Sequence, residues 1–122
     1  MGVPMSQLSL TIDGKKNRLR ISKASMRILG LPAMVQLLYN PGEKVILIRA
    51  AKEVTPGGQE LHVHISKPGG DYDIYSLSFV HKLIDNNPSI LGEGSYRLYG
   101  KAVGREGLVM FPLSTIEKVM NA

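Results

Sequence analysis

Residues 15–31 read KKNRLRISKASMRILGL, and this stretch decides how the remainder of the chain is read. It holds six cations, Lys15, Lys16, Arg18, Arg20, Lys23 and Arg27, and no acid. Arg18 and Arg20 alternate with Leu19 and Ile21, which predicts a strand with one apolar and one cationic face. Ser22 suits a helix N-cap, Gly30 the position just past a helix end, and Pro32 stops continuation. The stretch is therefore a strand running straight into a short helix, with Met26, Ile28 and Leu29 as candidates for the core.

Outward from it, the alternation in 8–13 (LSLTID) predicts a partner strand, so 8–22 forms a hairpin with a basic tip. Strands follow at 34–39 (MVQLLY) and 44–50 (KVILIRA), separated by the turn signal Asn40-Pro41-Gly42-Glu43. Residues 51–60, with Pro56-Gly57-Gly58, make a connector.

The same order then recurs: a strand at 61–65 (LHVHI), a turn, a strand at 72–75, a helix at 76–85, and strands at 95–103 and 108–113. On the helix, Phe79, Val80, Leu83 and Ile84 share a face. Ser114-Thr115-Ile116-Glu117 matches a capping box, which predicts a short C-terminal helix at 114–120. The chain is thus read as one domain, 1–122, made of two ββαββ units, 8–50 and 61–113, offset by about 54 residues if Ser22 and Ser76 correspond. Neither unit has enough strands to bury its own apolar face, so the two are expected to share a core in a mainly β barrel or sandwich with short helices.

Composition bounds function. The chain of 122 residues carries 43% hydrophobic residues, enough for a core, and no cysteine for disulfides or thiolate metal sites. No apolar run is long enough to span a bilayer, so a cytoplasmic protein without membrane contact is expected. Residues 1–58 hold nine Lys/Arg and three Asp/Glu, a balance of +6; residues 59–122 hold six and seven, a balance of −1. Positive charge is therefore local, a candidate footprint for a polyanion partner or, equally by composition, a solvated cationic hairpin. Arg18, Arg20 and Arg27 suit guanine edges, while Lys15, Lys16 and Lys23 suit phosphates.

Nothing points to chemistry. No nucleophile–base or paired-carboxylate spacing is recognisable, no cofactor or small-molecule substrate is implied, and the chain is read as non-enzymatic. His62 and His64 are spaced to share a face of one strand, a possible metal pair that an alternating strand also produces by accident. Tyr72, Tyr75, Tyr96 and Tyr99 are candidates for a partner surface, or for filling a barrel with hydroxyls at its rim.

Asn17-Arg18-Leu19-Arg20-Ile21-Ser22, then residues 23–28, then Leu29-Gly30-Leu31, resembles the signature of the AbrB/SpoVT group of swapped-hairpin barrels, which includes MraZ- and MazE-type proteins. Arg18, Ile21, Arg27, Leu29 and Gly30 match; Asn17 and Ser22 stand where that signature has glycine and proline. The likeness covers 8–50 closely and the second unit only in element order. It implies a swapped-hairpin-type β-barrel that binds double-stranded DNA as a homo-oligomer, in a regulator of transcription, through the basic hairpin and helix start. The alternative is an interaction or assembly module, antitoxin-like or from a mobile element, that keeps the barrel without DNA contact.

Overall fold

The computed structural model describes residues 7–51, 60–88, 91–92, 94–104 and 107–119. The first unit supplies β1 (Ser9–Asp13), β2 (Arg18–Ile21), α1 (Lys23–Ile28), β3 (Met34–Asn40) and β4 (Val45–Ala50). The second supplies β5 (Glu60–His62), β6 (His64–Ile65), β7 (Tyr72–Tyr75), α2 (Leu77–Asn86), β8 (Ser95–Tyr99), β9 (Lys101–Val103) and β10 (Leu108–Pro112). A 3-10 turn, Leu113–Thr115, leads into β11 (Glu117–Val119).

The strands form two antiparallel sheets, ordered β11-β8-β1-β2-β7-β6 and β5-β3-β4-β10-β9. Four seams join one unit to the other: β1 to β8, β2 to β7, β3 to β5, and β4 to β10. The helices cross over as well, α1 lying against β10 and α2 against β2. One core results. Leu10, Leu19, Ile21, Ile46 and Ile48 from the first unit and Ile74, Leu83, Leu98, Val109 and Phe111 from the second are all fully buried in it. The mainly β class and the shared core follow the sequence reading.

Local chemistry sets the helix ends. The Ser22 hydroxyl accepts the Ser25 N–H at 3.3 Å and the Ser9 N–H at 3.0 Å, so it caps α1 and ties it to β1. Gly30, at φ +86°, ends the helix, and the Leu31 N–H reaches back to the Met26 carbonyl at 2.9 Å. Ser76 caps α2 through the Phe79 N–H at 3.2 Å. Met26 and Leu29 enter the core, but Ile28 is exposed. At 100° per residue Ile28 sits about 200° from Met26, on the opposite side of the helix.

Three further expectations are corrected. Residues 61–65 are not one strand: at Val63 the chain leaves the five-stranded sheet as β5 and enters the six-stranded sheet as β6. Residues 95–103 turn in the same way at Gly100, between β8 and β9. A Cβ at Gly100 would lie 2.4 Å from the Met110 carbonyl oxygen and 2.6 Å from the Phe111 ring, so only glycine lets the corner close.

The third concerns 114–120, where a strand replaces the helix. The Thr115 hydroxyl donates to the Pro112 carbonyl at 2.7 Å and accepts the Tyr99 N–H at 2.9 Å, and the Glu117 carboxylate, the far end of the capping box, accepts the Tyr99 hydroxyl. Ile116 is extended, and Glu117–Val119 pair with the otherwise open edge of β8. An unpaired sheet edge outcompetes a marginal helix of two turns. Met120 and most of the 51–60 connector lie outside the described residues. No helix among the described residues is long and apolar enough to cross a membrane.

Candidate nucleic-acid interface

The outward face of the six-stranded sheet carries the basic cluster. Alternation along β1, β2, β7 and β8 sends Leu10, Ile12, Leu19, Ile21, Ile74 and Leu98 inward. It sends Thr11, Asp13, Arg18, Arg20, Asp73 and Arg97 outward. Register then lays a row of side chains straight across all six strands, Glu117, Arg97, Thr11, Arg20, Asp73 and His64.

Above this row lies a groove of about 680 Å³. Its cations are Lys15, Lys16, Arg18, Arg20 and Arg97; Asp13 and Asp71 are its acids, and Ser9, Thr11 and Ser95 add neutral polar groups.

The six cations named from the sequence do not act alike. Lys15 and Lys16 are exposed at the hairpin tip. Their backbone N–H groups donate to Asp13 Oδ1 at 3.1 and 3.2 Å, which fixes the turn and leaves both ammonium groups in water. Asn17 completes the tip at φ +52°, a turn residue.

Arg18 pairs with Asp13 at 3.0 Å and lies 4.0 Å from Asp73. Arg20 grips Asp73 with two bonds, Nε to Oδ1 at 2.7 Å and Nη2 to Oδ2 at 3.2 Å. That hydrogen bond holds the Arg20 guanidinium above its ordinary pKa against the opposing effect of burial. The backbone N–H of Lys23 donates to Asp71 Oδ1 at 3.1 Å, and Arg27 is exposed in the last turn of α1. Arg18 and Arg20 are thus internally neutralised, Arg20 by an aspartate of the second unit.

Arg97 was not among the residues singled out from the sequence. Its Nε donates to the Thr11 hydroxyl at 3.4 Å, across a seam spanning 86 residues of chain. No local signal announces such a partner; only the β1–β8 register does.

His62 and His64 fall in different sheets, opposite Met34 and Asp73, so they do not form the pair their spacing suggested. No cluster of three His, Asp or Glu suited to a metal occurs among the described residues. Of the tyrosines, Tyr72 and Tyr96 pack on the core, Tyr75 is 52% exposed, and the Tyr99 hydroxyl donates to Glu117.

Comparison with protein-family models, with curated proteins and with solved structures gives no match.

Proposed function

We propose that this chain is a cytoplasmic, non-catalytic DNA-binding protein, and that its groove with the Lys15–Lys16 tip is laid on a duplex as in AbrB-like regulators of transcription. In this reading the two sheets are a swapped-hairpin-type barrel, with the two units standing where two chains of a dimer would. The four seams between units support that, as do the two strands that turn from sheet to sheet at Val63 and Gly100.

The observation that carries the functional reading is the groove itself, where Lys15, Lys16 and Arg97 line one face above a floor in which Arg18 and Arg20 are paired with Asp13 and Asp73. The contacts are reassigned within it. Lys15, Lys16 and Arg97 face phosphates, with Lys23 and Arg27 flanking along the same unit. Arg18 and Arg20 hold the floor rigid through Asp13 and Asp73 instead of touching DNA.

The test is fluorescence anisotropy on a duplex of about 30 base pairs at about 50 and 200 mM salt, conditions over which phosphate contacts lose affinity steeply. Wild type is expected to bind with a negative salt slope. Lys15→Ala/Lys16→Ala flattens that slope by about 2 if both ammonium groups release counterions. Absence of salt-dependent binding at low ionic strength would remove the reading.

One observation favours a second reading. The Arg20–Asp73 pair cancels charge where a polyanion surface needs it. This suits a non-enzymatic interaction or assembly module, antitoxin-like or from a mobile element, that keeps the fold without DNA contact. Wild-type protein that ignores duplex DNA at every salt concentration would select it.

A further inference from the structure

We propose that Tyr75, with His64 set against it, is a stacking site for an unpaired base, so that the groove takes DNA carrying a single-stranded stretch. This rests on the nucleic-acid reading of the groove and adds the form of DNA that fills its β7 side.

The chain has five tyrosines and two phenylalanines, and Tyr75 alone among them is exposed. Its place is not arbitrary. Register carries a second row across the outward face of the six-stranded sheet, Val119, Ser95, Asp13, Arg18 and Tyr75. The first four line the groove, so Tyr75 stands at its rim. Arg18, its neighbour in the row, is already held by Asp13. His64 lies opposite Asp73 on β6, two residues off Tyr75, and meets its ring edge-on, with centroids 5.7 Å apart and planes at 61°. That contact orients the Tyr75 ring while half of the residue stays open to water. Tyr99, the other tyrosine on this face, is half-buried and its hydroxyl donates to Glu117.

The ring also stands beside the cationic tip. The N–H of Ser76, the next residue, donates to the Asn17 carbonyl at 3.0 Å. The end of β7 is therefore bonded to the turn that carries Lys15 and Lys16, both exposed. A flat ring one backbone hydrogen bond from two exposed cations offers the two chemistries of a nucleotide, whose base and phosphate are joined by a single sugar. Aromatic rings beside a cationic track are how sheet surfaces hold single strands. Inside a continuous duplex both faces of each base are covered by its neighbours, so only an unpaired base can lie on Tyr75.

Fluorescence anisotropy of the full chain tests this at about 50 mM salt with a blunt duplex of about 30 base pairs, the same duplex with a tail of about ten thymidines, and the same duplex with an equally long abasic tail. The two tails carry the same phosphates, so their difference reports the bases. Wild type should bind the thymidine-tailed probe about tenfold tighter than the abasic-tailed one, the size expected of one stacked base. Tyr75→Ala should abolish that advantage, and Tyr75→Phe, which keeps the ring, should retain it. Equal binding of the two tailed probes by wild type overturns the proposal, and this comparison decides alone if Tyr75→Ala fails to fold. Folded Tyr75→Ala protein that keeps the advantage overturns it equally. In either case binding of the blunt duplex leaves the groove reading standing, whereas failure of all three probes to bind removes both.

Discussion

The two units run the same order of elements, yet they put opposite charges on the same face. In β2, Leu19 and Ile21 enter the core, Arg18 and Arg20 point outward, and the helix cap Ser22 follows Ile21 directly. In β7, Tyr72 and Ile74 take the core side, Asp73 and Tyr75 point outward, and one extra residue, Tyr75, separates Ile74 from the cap Ser76.

Matching the caps therefore sets the units out of step by one residue, and in a strand one residue exchanges the faces. Correctly matched, the counterparts of the arginines are not Tyr72 and Ile74 but outward groups, among them Asp73. The first unit's charge is met by the second's across the β2–β7 seam. What unites the two units thus also leaves the positive character of the groove to the hairpin tip and Arg97.

A second contrast lies in the path of the strands. Each strand of the first unit stays within one sheet, whereas the second unit's first and third strands each serve both. The second unit supplies both corners.

The largest expected effect comes from separating the units. Fragment 1–58 loses the partners of all four seams and should show no cooperative melt by circular dichroism. A folded fragment would break the shared-core account.

Next is Gly100→Ala, where the new Cβ strikes backbone that cannot retreat. A loss of about 3 kcal/mol is expected, or about 10 °C in Tm. Gly92→Ala serves as control, because its Cβ meets nothing nearer than Tyr96 Oη at 3.9 Å.

Asp73→Ala is expected to cost about 2 kcal/mol in urea unfolding, because it strips Arg20 of both hydrogen bonds to a buried acceptor and Arg18 of a nearby anion. In a double-mutant cycle with Arg20→Ala, additive losses would show that the seam's ion pair contributes nothing.

The smallest effect sharpens the comparison most. Ser22→Ala should cost about 1.5 kcal/mol and Ser76→Ala about 1, since Ser22 also receives the Ser9 N–H. Equal losses would deny Ser22 its second role.

Much of the fold was legible because its signals are local. Alternation located β1, β2, β3, β4, β7 and β10 to within a residue or two. Ser22, Ser76 and Gly30 marked the helix ends that the structure has, and Val80 and Leu83 were placed on the buried face of α2.

What escaped depends on partners distant in sequence. A strand that changes sheets at Val63 or Gly100 keeps its alternation, so the corner leaves no mark beyond one glycine. Residues 117–119 become a strand because β8 offers an edge, although the capping pattern before them is sound. The site was legible as charge and illegible as geometry. Lys15 and Lys16 stand where the tip put them. The neutralisation of Arg20 and the recruitment of Arg97 follow from the β2–β7 and β1–β8 registers, which no local spacing encodes.

Amide chemical-shift mapping during titration with a duplex of about 30 base pairs, at low salt where phosphate contacts are strongest, tests the central claim most directly. The account predicts shifts at Lys15, Lys16, Thr11 and Arg97, with little change at Leu38, Leu47 and Met110. Shifts confined to the five-stranded sheet, or none at any DNA concentration, would contradict it.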